Sequence, residues 1–299
     1  MTKPFENYTN DLFLPLDGRI TRSILIRFRS AFNQSRTQSP YLSGDSFASI
    51  VDFDSSKNKK WKYSDFDRAH NAKSIFVKSD CFESLNFNLF PNARVIIAGN
   101  SDKNFDFEPL VPASVTLLLL QNASITSDRI RTLPIGLENR KLGRFIAEKD
   151  FYFDINAPER LQRCLVPPMS NTNPIRPLSI RKALELNGIF DVQVGYLSER
   201  EYLQLIRQYQ FVLCLEGNGY ENHRVWECLY LGIFPIVLRS AWSITLKSLN
   251  LPILFVDRLE DITEDVLRDF ASQNEGYDPR QSPSLWIDYW KDLVCLKSV

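Results

Sequence analysis

Hydrophobic positions along the chain gather first into short unbroken runs. Ser74–Lys78 (SIFVK), Arg94–Ala98 (RVIIA) and Ser114–Leu120 (SVTLLLL) are apolar through successive positions and bounded by turn residues. A strand with one wet face alternates apolar and polar residues, so these runs predict strands buried on both faces, as in a parallel sheet. Upstream, residues 1–40 are polar and irregular apart from a helical pattern over Ile20–Phe32, and residues 33–40 read as a loop.

A second series begins after Pro158. It reads as strand Arg163–Val166, helix Ile175–Asn187 stopped by Gly188, strand Val192–Val194, helix Ser198–Tyr209 and strand Phe211–Leu215. Helix Asn222–Leu231, strand Phe234–Leu238, helix Ala241–Leu249, strand Ile253–Phe255 and helix Ile262–Ser272 continue it. Ser198 followed three residues on by Glu201 is a capping-box signature, and Gly232 marks a helix stop. Regular alternation of this kind predicts a Rossmann-like half. The last pattern, Leu285–Leu296 with Trp286, Tyr289 and Trp290, predicts an amphipathic helix packed on a distant part of the chain. The expected division is an N-terminal domain over residues 1–156, a second domain over 157–273 and a tail over 274–299.

Composition narrows the chemistry. Lys plus Arg equals Asp plus Glu at 36 each, so no overall field draws the chain to nucleic acid, and any anion site is local. The five cysteines form no C-x-x-C pair, which indicates neither a disulfide framework nor a zinc knuckle. Only His70 and His223 are available for imidazole chemistry. The most apolar stretch, Val115–Leu120, is far shorter than the ~20 residues that span a bilayer. Residues 1–10 lack the apolar core of a signal peptide, so the expectation is a cytoplasmic protein without a membrane span.

The informative segment is Phe211–Leu238. An apolar strand runs into Glu216, Gly217, Asn218 and Gly219, where two glycines let a ligand approach the backbone, and a helix opens near Asn222. Free amides and the positive end of the helix dipole favour a phosphate there, with Arg224 in the first turn adding a charge-assisted bond. Val225, Cys228, Leu229 and Gly232 fall on one helical stripe facing the core, while His223, Glu227 and Tyr230 fall on another. Glu227, a turn further in, suits ribose hydroxyls better than phosphate. The same spacing also fits a solvated Arg224–Glu227 surface pair with no ligand at all.

The string E-G-N-G-x-x-x-H-R-x-W-E-x-L-Y-L-G-x-x-P-I-V over 216–237 resembles the donor-side motif of exostosin-like glycosyltransferases and related bacterial polysaccharide transferases. Leu133–Asn139 (LPIGLEN) is similar to the segment those proteins carry between their halves, and Ser170–Pro174 (SNTNP) to the first loop of their second half. The resemblance covers residues 130–260 well and the N-terminal third poorly. It implies the GT-B arrangement, two Rossmann-like domains facing across a cleft, with the last helix returning to the first. It also implies that His223, Arg224 and Glu227 contact a nucleotide-sugar donor, with Gly217 and Gly219 leaving room, Thr172 and Asn173 lining the cleft, and Glu138 and Asn139 at the crossing between halves. The implied activity is transfer of a sugar to a glycan or lipid-linked glycan acceptor in cell-surface polysaccharide synthesis, with inversion and with peripheral rather than integral membrane contact.

Inverting transfer needs a base for the acceptor hydroxyl. Asp45 after Gly44, Asp80 and Asp102 all follow turn signals in the N-terminal half, and Asp45 is favoured because Gly44 suggests a tight turn presenting its side chain. The two D-x-D strings, Asp52/Asp54 and Asp65/Asp67, follow no convincing buried strand, so no metal cofactor is expected; the glycines and Arg224 offer the diphosphate a metal-free site. The alternative is a Rossmann-type nucleotide-binding or glycan-binding protein without catalysis, although the 216–221 turn lacks the third glycine of G-x-G-x-x-G.

Overall fold

In a computed structural model, residues 39–56, 61–139, 151–154, 157–186 and 188–298 are described. The helical pattern at Ile20–Phe32 lies outside them. The described chain is mixed α/β, with two separate five-stranded parallel sheets.

The first sheet holds β1 (Phe53–Asp54), β2 (Ser74–Lys78), β3 (Val95–Gly99), β4 (Leu117–Leu120) and β5 (Ile130–Thr132) in sequential spatial order. The unbroken apolar runs behave as expected of strands covered on both sides. Phe76, Val95, Ile97, Leu117 and Leu119 enter one core, and their immediate neighbours Ile75, Val77, Ile96, Ala98, Leu118 and Leu120 enter another. The second core is closed by the sheet's own connections, through Ala69 of helix α2 (Tyr63–Asn71) and Phe82, Phe90 and Phe105 in the turns after β2 and β3. The first is closed from elsewhere, by Phe47 of helix α1 (Gly44–Ser49) and by Trp290, Leu293 and Val294 of the last helix. The short strands β1 and β5 and the helices α1 and α2 carry too little periodicity to stand out in the sequence.

The second sheet contains β6 (Leu161–Val166), β7 (Phe190–Val192), β8 (Tyr209–Leu213), β9 (Phe234–Leu238) and β10 (Leu254–Val256), in the order β7-β6-β8-β9-β10. Taking β6 as its first strand, this is the doubly wound order 2-1-3-4-5, in which the direction of winding reverses between β6 and β8. Helices α3 (Ile175–Glu185) and α7 (Glu264–Gln273) pack on one face, and α4 (Glu199–Ile206), α5 (His223–Tyr230) and α6 (Ala241–Thr245) on the other. The Ser198–Glu201 capping box forms as the sequence predicts. At the far end of α5, Gly232 takes φ +68°, and Arg160 donates to the carbonyls of Leu231 and Gly232, placing a cation on the negative end of that helix.

Helix α8 (Ile287–Lys297) lies on the first sheet's side of the molecule. Trp290 meets Phe47 edge-on at 5.6 Å, the Ile287 amide donates to Pro40 O at 3.0 Å, and the Thr116 hydroxyl donates to Lys297 O at 3.4 Å. Tyr230 of α5 ties three parts together. Its hydroxyl accepts from the Leu42 amide at 2.9 Å and donates to Leu285 O at 2.6 Å. No described helix is long and apolar enough to cross a membrane. All five cysteines are free, with Cys164, Cys214 and Cys228 buried and Cys81 and Cys295 exposed.

Tyr230→Phe strands both the Leu42 amide and the Leu285 carbonyl in a dry interface, at about 1–3 kcal/mol for each unsatisfied group. The expected loss of stability is therefore about 2–6 kcal/mol, read as a lower denaturant midpoint at unchanged slope; a change below about 0.5 kcal/mol would show that the hydroxyl does not join the parts.

Candidate functional site

All strands within each sheet run parallel, so each sheet collects the loops leaving its strand ends on a single edge. The two such edges face one another. Gly219 sits against Asn122, which follows β4, so closely that an added Cβ would lie 2.6 Å from Asn122 Nδ2. The Glu221 amide donates to Asn122 Oδ1 at 2.8 Å, the Tyr220 hydroxyl to Asp106 at 2.8 Å, and Asn218 Nδ2 to Asp102 at 3.2 Å. Asn100 and Asn122 end β3 and β4 in the left-handed region, at φ 57° and 56°, which turns the chain sharply at this edge.

The carboxyl ends of β6 and β8, where the winding reverses, are the position at which a doubly wound sheet takes its ligand, and this region is called the crevice. Its organiser is Arg176 of α3, only 7% exposed and not singled out by the sequence patterns. The guanidinium donates to Glu216 O at 2.8 Å, Leu215 O at 3.3 Å, Ser170 O at 3.0 Å and Thr172 Oγ1 at 2.9 Å. It thereby fixes the loop after β6 against the loop after β8. Its second terminal nitrogen borders Gly217, where an added Cβ would come within 3.3 Å. Asn173 adds a bond from Nδ2 to Gly217 O at 3.1 Å.

Arg224 enters the same region from α5. Its Nε meets the Tyr202 hydroxyl at 3.2 Å and a terminal nitrogen donates to Pro168 O at 3.0 Å. Tyr202 in turn donates to Glu227 Oε2 at 2.7 Å. Burial, reinforced by the Glu227 charge, pushes the Tyr202 phenol well up, which keeps it a donor. Arg224 and Glu227 are thus bridged by a tyrosine rather than forming a solvated pair. Burial and the neighbouring Arg224 charge lower the Arg176 pKa, whereas for Arg224 the lowering by burial is outweighed by Tyr202, Cys214 and the Glu227 charge, which raise it. Among the described residues neither arginine forms an ion pair with a carboxylate.

The remaining sequence candidates take distinct places. Glu216 accepts weakly from Ser240 at 3.4 Å, and burial raises its pKa. His223 opens α5 with Nδ1 2.8 Å from Gly136 O, and its N-cap Asn222 sends Nδ2 back to Leu215 O at 2.7 Å instead of capping the helix. The first amides of α5 are therefore not taken by a cap side chain. Tyr230, on the stripe of His223 and Glu227, is buried and serves the interface described above.

Asp45 is exposed in the first turn of α1. Gly44 is needed there because a Cβ would fall 1.5 Å from Asn100 Oδ1. Asn139 Oδ1 accepts from the Asp45 amide at 2.8 Å while its Nδ2 donates to Asn100 Oδ1 at 2.8 Å, so Asp45 is anchored to the turn that also carries Asp102. Asp80, exposed after β2, has no bond to the second half among the described residues. The D-x-D carboxylates serve local structure. Asp52 accepts from the Lys73 and Ser74 amides, Asp54 from Ser56, Asp65 from the Lys62 amide and Asp67 from Asn71.

Arg176, Tyr202 and Asn122 escaped sequence reasoning. For Arg176 one signal was present: an arginine in a first helical turn with Thr172, Ser179 and Ile180 around it has no acidic partner to explain it. Fold and site together define a mixed α/β protein with two facing parallel sheets and an arginine-rich crevice at a winding reversal. No protein-family model matches the chain, and no curated protein matches it.

Arg176→Gln removes the charge and most of the donors that hold four loop acceptors. It is expected to cost about 2–4 kcal/mol, given about 1–3 kcal/mol for each buried group left unpaired and partial rescue by water. Chemical denaturation measures this, and wild-type stability would show that the loops hold themselves.

Proposed function

We propose that the protein is a nucleotide-sugar-dependent glycosyltransferase of GT-B type. The observation that carries this reading is the pair of neighbouring arginines, Arg176 and Arg224, neither in an ion pair with a carboxylate among the described residues, beside the glycine turn 216–219 at the winding reversal of the second sheet. The two neighbouring cations, Arg176 buried and Arg224 half-buried, repel one another, and a diphosphate bound beside them would supply compensating charge. The first amides of α5 add donors on the same side.

In this reading Arg224 and the amides near Asn222 hold the diphosphate. Arg176 keeps the two loops in register, with Thr172 and Asn173 in the same wall. Glu227, oriented by Tyr202, accepts hydroxyls of the ribose. As the sugar leaves the diphosphate, negative charge grows on the bridging oxygen, and fixed cations stabilise that charge without a metal. The acceptor approaches from the first sheet, where Asp45 takes the proton of its hydroxyl; Asp102 and Asp80 are the alternative carboxylates. Attack opposite the leaving diphosphate inverts the anomeric centre. The acceptor class is a glycan or lipid-linked glycan.

Thermal-shift measurements against nucleoside diphosphates and nucleotide-sugars test the reading. A ligand at 100 times its Kd stabilises by ~2.7 kcal/mol, and the stabilising base and sugar name the donor. Arg224→Ala is expected to weaken donor binding by at least tenfold, with EDTA without effect. Unchanged affinity, or a loss on chelation that Mn²⁺ restores, would place the donor elsewhere or on a metal.

Asp45→Asn is expected to lower turnover by roughly 10²–10⁴-fold, the usual contribution of a general base, while donor affinity stays within a few-fold. Wild-type turnover would transfer the role to Asp102 or Asp80. Asn139→Ala, which frees the Asp45 backbone, is expected to reduce kcat with little change in donor KM.

A further inference from the structure

Among the bonds between the two facing edges, those at Glu221 differ from the rest. Asp102 and Asp106 are exposed, so the bonds from Asn218 and Tyr220 compete with water. Glu221 is only 4% exposed. Its Oε2 accepts from the Ile135 amide of the first half at 3.0 Å, and its Oε1 from Trp226 Nε1 of α5 at 2.7 Å. Its own amide reaches Asn122 in the first half at 2.8 Å. Among the described residues no cation is paired with it.

Among the described residues, the charged and titratable groups on neighbouring elements whose partners follow turn elsewhere. His223 binds Gly136 O, Arg224 meets Tyr202 and Pro168 O, and Glu227 takes the Tyr202 hydroxyl. Tyr220 is bound to Asp106, Asp102 to Asn218, and Glu216 to Ser240.

We propose that Glu221 is a latch between the two sheet edges that is closed with its carboxyl protonated and loosens when the carboxyl ionises. The two N–H donors favour the ionised form, but burial without a cation outweighs them and lifts the pKa from its ordinary value to about 8. A neutral carboxyl keeps both contacts, since a hydroxyl oxygen retains a lone pair for the second donor.

The sign of the pH effect follows from linkage. When the edges part, Glu221 enters water and its pKa returns to the ordinary carboxylate range, so the closed form binds the proton more tightly. Below that range closure does not vary with pH. Between it and about 8 closure weakens as pH rises, by at most about tenfold per unit, and above 8 it levels off. The latch works on the loop that carries Gly217 and Gly219 whatever ligand occupies the crevice.

The test is a pH titration of the full chain from pH 5 to 10 by ¹H–¹⁵N NMR, following the Trp226 indole and Ile135 amide signals and amide exchange corrected for its intrinsic pH dependence. The expected result is one shared midpoint between 7 and 9. Ile135 and Glu221 amide protection should fall as pH rises, and the midpoint should be lost in Glu221→Gln. No midpoint above pH 6.5, or one that survives in Glu221→Gln, overturns the proposal. Should Glu221→Gln fail to fold, His223→Gln decides. A retained midpoint supports Glu221 as the titrating group, and a lost one assigns it to His223 and overturns the latch.

Discussion

The sequential order of the first sheet is the constraint from which much of the remaining structure follows. Strands laid down one beside the next in a single direction leave their connections on one face, here the face sealed by Ala69, Phe82, Phe90 and Phe105. Among the described residues, the connections between strands leave the opposite face, carrying Phe76, Ile97 and Leu119, uncovered. Leaving these side chains in water would forfeit roughly 1.5–3 kcal/mol each. The chain meets this need with α1 and with α8, brought back from the far end of the sequence. The Tyr230 hydroxyl, the Ile287 amide and the Trp290–Phe47 contact then hold that cover in place.

The segment 133–139 links this cover to the crevice. Leu137 N binds Leu42 O beside α1, Gly136 O receives His223, Ile135 N meets Glu221, and Asn139 holds the Asp45 amide. Gly136 takes φ +67°, and a Cβ there would fall 2.1 Å from Leu42 O, so only glycine lets the segment pass this close. One short stretch thus contacts the proposed acceptor side, the proposed donor side and the latch. Its bonds join groups on both edges, which makes it a mechanical reference for the crevice rather than a passive connection.

The fold was legible where local pattern and tertiary demand agree. The runs at 74–78 and 234–238 are strands with the bounds the sequence suggests, and the helices after Ser198 and Pro174 start where their turn residues indicate. Strands β1 and β5, of two and three residues, owe their existence to neighbours and carry no period of their own. Gly44 suggested a turn that presents Asp45, whereas its small size serves a close approach to Asn100 across the fold. In the crevice, Gly217, His223, Arg224 and Glu227 cluster in sequence and stood out. Arg176 and Tyr202 reach the crevice through the winding of the sheet, which no spacing reveals. Glu221 carries no signal in the sequence, because its burial depends on Ile135 and Asn122 from the other half.

The cover provided by α8 also imposes an order in time. A chain emerging from the ribosome presents the strands of the first sheet long before residues 287–297 exist, so the part of its face that α8 covers stays exposed while the second half is made. Exposed sheet surface of this kind is where nascent chains aggregate or recruit chaperones. The last helix therefore sets the moment at which the first sheet becomes safe, and contacts of the longest sequence separation, such as Pro40 with Ile287 and Phe47 with Trp290, close only then.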